Sequence, residues 1–575
     1  MVMSPNKDAG HQPPPSAHSP SESMIYQRPE LPPSVHHAPN TRAMPVSNAS
    51  TPSFNSTESI CDAKKGKYIA AESDETGIAV NDSRNAHLNK SLLLCAMVAA
   101  LSSINYGWVI GSVNVPALVI EECSSGPETW TNGFPSCIPM SSTLWGLVVG
   151  LTALGAWAGS MYSGMIADWL GRRNTLMYNN AFFVAGALLC GTATSIAQLA
   201  IGRFVAGIGC GFAANIVSTY NSEAATTRSR GFLGGFQQLM ILVGLFFSQV
   251  VSIGLSNAPL WRVLFSLSAA VAILQSGLLF LIPESPRYLA IKKRYDESRS
   301  ALQKLRGNLD ITLEFEELVA MLDAGSRNSS VSKPSLWQIL SGKTEVDLRH
   351  LVFCVLFLML SQQWSGAKGV MFYSTEILSK TFHLSEEEIK HIPSIAQLLT
   401  LGIGAIGAVA VVIGMSILDK VGRRTVLVVS SLATSICAAL IVVGSKLDLG
   451  PMVAVFMYAF NLVFQSGAGF IPYLSASELL PYHVLGSISG IATSVNCLTL
   501  FIVSFIFPIL DKTLGPYLFV PFVVTNFITF LFGVFMMPEA KGKLIAEVIE
   551  QYQGPPHIVH SAGLLSKKRG SSISN

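Results

Sequence analysis

Three charged elements occur twice in this chain, and the chemistry open to them is ion pairing. Asp168-Trp-Leu-Gly-Arg-Arg173 returns as Asp419-Lys-Val-Gly-Arg-Arg424, 251 positions on. Ser222-Glu223 returns as Ser477-Glu478, and Pro283-Glu284 as Pro538-Glu539, each 255 positions on. Three elements in one order at nearly one offset mark an internal repeat. Carboxylates and guanidinium groups so placed can bridge neighbouring elements through contacts that form and break as those elements move. Other chemistries find little support. There is no Walker loop, which excludes ATP-driven pumping. The nine cysteines form no Cys-x-x-Cys pair and no Cys/His cluster, so neither a metal site nor a cofactor is expected. Gly207-Ile-Gly209-Cys-Gly211 looks like part of a nucleotide fingerprint but follows no strand and lacks the final spacing. Close helix packing by small residues explains it better. No catalytic constellation emerges, and the chain is not read as an enzyme.

The elements that must position these charges are apolar. Half of the 575 residues are hydrophobic and 13% are charged, with a mean hydropathy of +0.45; soluble domains carry about 25% charged residues. A helix that crosses a bilayer needs ~20 mostly apolar residues, because lipid offers no partner to unpaired backbone groups. Twelve stretches qualify: 92–119, 144–168, 174–196, 199–221, 231–254, 260–282, 349–378, 393–418, 424–444, 451–479, 484–510 and 514–537. The repeated charges fall at the ends of spans two, four and six, then eight, ten and twelve. The expected fold is therefore an all-α membrane protein with twelve transmembrane helices in two six-helix halves, 91–283 and 349–537. Such halves suit a carrier that rocks one against the other around a midplane site.

Between the halves, 284–348 is charged and helical in pattern, an amphipathic linker on the membrane surface. Residues 1–90 are rich in Pro, Ser, Asn and His and are read as a disordered tail. Residues 538–575 form a second tail. Arg172-Arg173, Arg228, Arg230, Lys292 to Arg306 and Arg423-Arg424 all lie on the side of both termini, while Ser91 to Gly171 holds no Lys or Arg. The basic side faces the cytoplasm, so tails and linker are cytoplasmic. No cleavable signal is seen near Met1, leaving the first span as the insertion signal.

These motifs carry a resemblance. From about Leu92 to Glu550 the sequence resembles the sugar porter family of the major facilitator superfamily. Asp168-x-x-Gly171-Arg172-Arg173 and its repeat look like the superfamily's paired loop motif, and Gly202-Arg203, Glu223 and Arg230-Gly231 resemble the fourth-helix signature. Pro283-Glu-Ser-Pro-Arg287, Gln362-Gln363-x-Ser365-Gly366 and Pro538-Glu-Ala-Lys-Gly542 resemble narrower marks of sugar porters. The resemblance implies a major facilitator fold and alternating access. It also implies that Asp168, Arg172, Arg173, Glu223, Arg230, Glu284 and Arg287, with Asp419, Arg423, Arg424, Glu478 and Glu539, form gating ion pairs that set the balance between two conformations. The second half departs where the Arg expected after Glu478 is Leu485.

The family holds sugar near the midplane with amides, which offer donors and acceptors to hydroxyls. The resemblance places Gln238, Gln362, Gln363, Lys368, Tyr373, Tyr473 and Asn496 at that site. Four positions depart from the family pattern: Lys368 and Gly407 stand for Asn, and Tyr473 and Cys497 for Trp. Lys368 admits three readings: contact with an anionic group on the solute, titration in a coupling cycle, or a cation that reaches water or a carboxylate without touching solute. Proton-coupled relatives carry an Asp in span one where this chain reads Gly107-Trp108-Val109, which makes uniport the expectation.

Cys123 and Cys137 share the first external loop, where a disulfide and two free thiols are both open readings. The sequons at Asn48, Asn55, Asn89 and Asn328 fall on the cytoplasmic side and are expected to stay unmodified. The leading expectation is a secondary transporter of a sugar or sugar-like solute. A nutrient sensor with a transporter fold and a carrier of an organic or inorganic anion contacting Lys368 are the alternatives. Expected partners are the solute and the lipid bilayer, with no nucleic acid at a net charge of +3, and the chain is expected to act as a monomer. A plasma membrane and a vacuolar or other endomembrane both fit.

Overall fold

A computed structural model describes residues 89–121, 123, 130–131, 133–226, 229–257, 259–327, 348–383, 394–480 and 482–539. The tail before residue 89, the tail beyond 539, part of the linker (328–347) and three of the sequons (Asn48, Asn55, Asn328) lie outside them. So do the side chains of Arg230, Asp419 and Leu485.

The apolar stretches form helices. In the first half, spans one to six are Lys90–Gly111, Ser142–Leu170, Arg172–Gly191, Ile196–Ala224, Arg230–Leu255 and Trp261–Leu278. In the second, span seven is Arg349–Trp364 plus Ala367–Thr381, and spans eight and nine are Ile395–Val421 and Arg423–Lys446. Span ten is Gly450–Gln465 plus Ile471–Leu479, followed by Tyr482–Leu514 and Val520–Phe535. Among the described residues, nine helices are long and apolar enough to cross a membrane, and Gly450–Gln465 and Val520–Phe535 are shorter apolar ones. Arg172–Gly191 completes the twelve. Polar N-caps start several of them: Asn89, Ser141 and Ser195 each accept a first-turn N–H, and Ser394 forms a reciprocal capping box with Gln397. Large apolar side chains such as Ile273, Val429 and Phe535 point outward, as expected of a surface that meets lipid rather than water.

The structure revises several boundaries. Span one ends at Gly111, then turns into a short helix, Ala117–Glu121, so 92–119 is not one rod. Span three begins at Arg172 and ends at Gly191, earlier than 174–196, because Gly171 holds φ +95 and starts it abruptly. Span six ends at Leu278 and span twelve at Phe535, each followed by turns. Spans seven and ten are each broken in two. Among the described residues, the linker supplies three helices, Pro286–Ile291, Tyr295–Arg306 and Thr312–Arg327. In the first loop, Trp130–Thr131 pairs antiparallel with Phe134–Pro135, and Cys123 is bonded to Cys137 with their Cα atoms 5.3 Å apart.

Each half packs by close approach of small residues. The crossing of spans two and four shows why: a Cβ on Gly207 would run into the backbone carbonyl oxygen of Thr152. The helices can be this near only because Gly207 has no side chain.

Candidate functional site

The break in span seven builds the centre of the molecule. Gly366 adopts φ +89, and a Cβ there would lie 2.6 Å from the ring of Phe522. A helix break frees carbonyls and N–H groups, which need partners where no water reaches. Span twelve meets part of that demand: Thr525 Oγ1 donates to Trp364 O at 2.7 Å and Asn526 Nδ2 to Ser365 O at 2.9 Å. Ser365 Oγ donates to Gln362 O and accepts from Ala367 N, joining the two half-helices.

Gln362, Gln363, Asn496 and Tyr473 meet beside this break as one hydrogen-bonded cluster. Asn496 Nδ2 donates to Gln362 Oε1 at 2.7 Å and to Met359 O at 2.8 Å. Asn496 Oδ1 accepts from Gln363 Nε2 at 2.8 Å and from Tyr473 Oη at 3.0 Å. Gln362 Nε2 reaches Gly469 O, in the break of span ten. Buried Gln363 Oε1 has no hydrogen-bond partner. Lys368 is half-buried five residues after Gln363, on the far side of the break, with its Nζ 3.7 Å from Met371 Sδ and Cys497 as its electrostatic neighbour. Gln238 is half-buried with no hydrogen bond among the described residues. Tyr373 does not join the cluster. Its hydroxyl donates to Ser504 O at 3.1 Å, and its ring stacks on Phe507 with centroids 5.1 Å apart.

At the end of the bundle that carries the Arg pairs, the two halves repeat one arrangement. Arg172 Nη2 meets Glu223 at 3.0 Å and Arg172 Nη1 meets Asp168 at 3.2 Å; Arg423 grips Glu478 through Nε and Nη2, the latter at 2.8 Å. Among the described residues, Glu284 does not pair with a guanidinium. Its carboxylate takes the backbone N–H groups of Arg172 at 2.8 Å and Arg173 at 3.0 Å, and Glu539 does the same for Arg423 and Arg424 at 3.0 and 3.1 Å. The reason is local. Spans three and nine start at Gly171 and Gly422, with φ +95 and +104, and neither glycine has a side chain to cap the helix. A carboxylate from elsewhere fills the anion-favouring N-terminus instead. Arg173 and Arg424 point to carbonyls at the ends of spans six and twelve. Arg287 is exposed and makes no ion pair among the described residues. Among the described residues, the ion pairs of Arg172 lie within the first half and that of Arg423 with Glu478 within the second.

The linker docks on the same end of the first half. Buried Arg306 donates to Ala224 O at 2.9 Å and pairs with Glu314 at 2.6 Å, while Asn89 Nδ2 reaches Leu305 O at 2.8 Å. Tyr288 Oη donates to Trp169 O at 2.9 Å; burial raises the Tyr288 phenol pKa, with Glu284 nearby adding to the shift.

Two central residues escaped the sequence reading as site features. Asn114, just past span one, donates to Met371 O and Ser374 Oγ, both at 2.9 Å, and accepts from Thr375 N at 3.3 Å. It ties the first half to the second at the disulfide end. Arg203 is 2% exposed, donates to Val109 O at 2.8 Å and leaves Nε and Nη2 without partners. A lone Arg within an apolar span was its sequence signal.

Comparison with known proteins gives a consistent result. The family model described as "Sugar (and other) transporter" matches residues 95–552. The chain is 30% identical over 521 residues to facilitated glucose transporter member 2 of solute carrier family 2 from Gallus gallus, covering 81% of this chain and 94% of that protein. It is 31% identical over 487 residues to member 4 from Homo sapiens, covering 82% and 92%. Among solved structures, the xylose transporter XylE from E. coli in a partially occluded inward-open conformation aligns with a TM-score of 0.65 at 20% identity, covering 79% of this chain and 100% of that one. The proton:xylose symporter XylE bound to 6-bromo-6-deoxy-D-glucose aligns with a TM-score of 0.65 at 22% identity, covering 81% and 100%. These alignments identify the major facilitator fold.

Proposed function

The chain belongs to the sugar (and other) transporter family, and on that premise we propose that it moves a sugar across a membrane by alternating access, as a monomeric uniporter. The observation that carries this reading is the amide cluster of Gln362, Gln363 and Asn496 at the two helix breaks. It presents one acceptor without a hydrogen-bond partner, Gln363 Oε1, beside the break of span seven. Gln238 and Tyr473 complete the solute site, and Tyr373 supports it through Ser504 and Phe507. Uniport is supported by Val109, whose backbone oxygen takes Arg203 where a proton-coupling carboxylate would stand. The relatives named above transport glucose and xylose, which favours neither a sensor nor a carrier of unrelated anions.

The charged end faces the cytoplasm in this reading, since basic residues concentrate there and the disulfide lies at the other end. The latter suits the cell exterior or an oxidising organelle lumen. The two clusters around Arg172–Glu223 and Arg423–Glu478 hold each half's helix ends together as a rigid body, and Glu284 and Glu539 fix the starts of spans three and nine. Asp168 adds to the first cluster, and Asp419 and Arg230 are assigned to the same belt. Rocking then requires the contacts between halves to exchange, with Asn114 as the described latch at the disulfide end.

The test is solute counterflow. Purified protein in liposomes loaded with unlabelled glucose is expected to accumulate labelled glucose transiently, at a rate unchanged by an imposed pH gradient. Absence of accumulation would overturn the carrier reading, and a rate that tracks the gradient would overturn uniport. The latch gives a second expectation. Asn114→Leu removes three contacts, each worth ~0.6 kcal/mol between packed membrane helices, which shifts the equilibrium by about 2 kcal/mol, or about 25-fold, towards opening at the disulfide end. Hydrogen exchange should rise in residues 112–117 and 367–381 and stay constant around Arg172 and Arg423. Unchanged exchange in the first two segments rules the latch out.

A further inference from the structure

The centre of the bundle holds two cations and, among the described residues, no carboxylate that pairs with either. Lys368 lies 13 residues before the end of span seven, about 20 Å along the helix from the disulfide end at 1.5 Å per residue. Among the described residues its one hydrogen-bond neighbour is Met371 Sδ. Arg203 is buried with two of its nitrogens unpartnered, and its electrostatic neighbours are Cys190, Cys210 and Tyr373, none of them a carboxylate. Glu376 of span seven and Asp511 of span eleven are engaged elsewhere: both bind Lys380, at 2.7 and 2.6 Å, at the disulfide end. Charge buried in low dielectric is costly when it is not balanced. Proteins that keep such a charge in a membrane interior use it on a solute or an ion path.

We propose that Lys368 binds the carboxylate of an acidic sugar, a uronate or aldonate, whose hydroxyls meet the amide cluster. This rests on the carrier reading above and narrows its substrate class. Lys368 follows Gln363 by five residues across the break of span seven, which places the ammonium group and the unpartnered acceptor Gln363 Oε1 on the two sides of one helix break. A point charge on a flexible stem suits a carboxylate that arrives and leaves, where a bidentate Arg clamp would hold it more rigidly. Arg203 adds positive potential one layer nearer the disulfide end without touching the solute. The neighbours of Lys368 that could have neutralised it, Met371 and Cys497, carry no negative charge in their ordinary states.

The test compares D-glucuronate with D-glucose in the full-length protein in liposomes, each both as the labelled solute of counterflow and as a competitor of the other. Glucuronate is expected to compete at least ~10-fold more strongly than glucose. Lys368→Gln should lose that preference, read as the ratio of glucuronate to glucose competition, and Lys368→Arg should keep it. In case the Gln variant fails to fold, melting of the unaltered protein provides an independent readout: glucuronate should raise its Tm more than equimolar glucose does. Glucose movement with no preference for glucuronate would overturn the acidic-sugar assignment and leave the carrier reading intact. Movement of neither solute would instead overturn the carrier reading.

Discussion

Gly207→Leu is expected to abolish folded protein, while Gly164→Leu in the neighbouring span two should leave it intact. At Gly207 the atom that a Cβ meets is the Thr152 carbonyl oxygen, part of a helix backbone. A side chain can rotate away; a helix cannot. The two helices must therefore separate along a seam that also brings Gly211 against Ala156 and Gly155 against Phe204. Lipid is as apolar as the side chains that would be exposed, so no hydrophobic force drives the helices back together. Overpacking a core costs ~1–3 kcal/mol when side chains can adjust, and the cost here should exceed that range. Gly164 has nothing within 4 Å of the same hypothetical atom, which makes it the matched control. Size-exclusion profiles of fluorescent fusions distinguish the two. A monodisperse Gly207→Leu peak with the melting temperature of the control would show that spans two and four are not joined as described.

Asn496→Leu is expected to slow sugar counterflow by at least ~100-fold in protein that still folds. One side chain makes four hydrogen bonds, to Met359 O, Gln362 Oε1, Gln363 Nε2 and Tyr473 Oη. Its removal takes a partner from each of those groups, at ~1–3 kcal/mol where a buried polar group is left with none, and Gln363 Nε2 keeps Gln362 Oε1 at 3.4 Å. Gln362 and Gln363 then turn to one another or to Gly469, and the acceptor geometry offered to the solute is lost. About 3 kcal/mol of lost binding already corresponds to ~150-fold. Tyr473→Phe removes one of the four bonds and should cost ~3–10-fold. Counterflow within ~3-fold of the unaltered protein for Asn496→Leu would place the solute elsewhere.

The repeated charges and apolar runs made the twelve-helix plan and its two halves readable from the sequence. Hydropathy is a sum over a window, and windows see composition, not geometry. It therefore passed over the breaks at Ser365-Gly366 and at 466–470, where apolar residues continue on both sides while the backbone turns. The same limit explains Tyr373: its type fits a sugar site, but its contact with Ser504 O depends on the depth at which spans seven and eleven meet. The role of Glu284 was hidden for a different reason. An acid beside repeated arginines reads as an ion pair, whereas its carboxylate takes backbone N–H groups, which have no residue type to signal them. Arg203 was visible in the sequence as a family mark, but its lack of a counter-charge required knowing what surrounds it in three dimensions. The clustering of Gln362, Gln363 and Asn496 followed from residue type combined with the resemblance; their mutual satisfaction did not.

The carboxylates at the starts of spans three and nine also bear on how the chain is made. Glu284 lies 112 residues after the Arg172 N–H that it holds, and Glu539 lies 116 after that of Arg423. At ~5–20 residues per second of synthesis, a newly inserted third span waits roughly 6–20 s with its first turn open before the sixth has emerged to close it. The same delay recurs in the second half. The first clasp can close once Glu284 has left the ribosome, while the linker is still being translated, so the first part is finished before the helices of the second are made. A nascent chain halted after residue 345 should already hold the first part closed, and an insertion machinery that retains early helices has a defined moment at which to let them go.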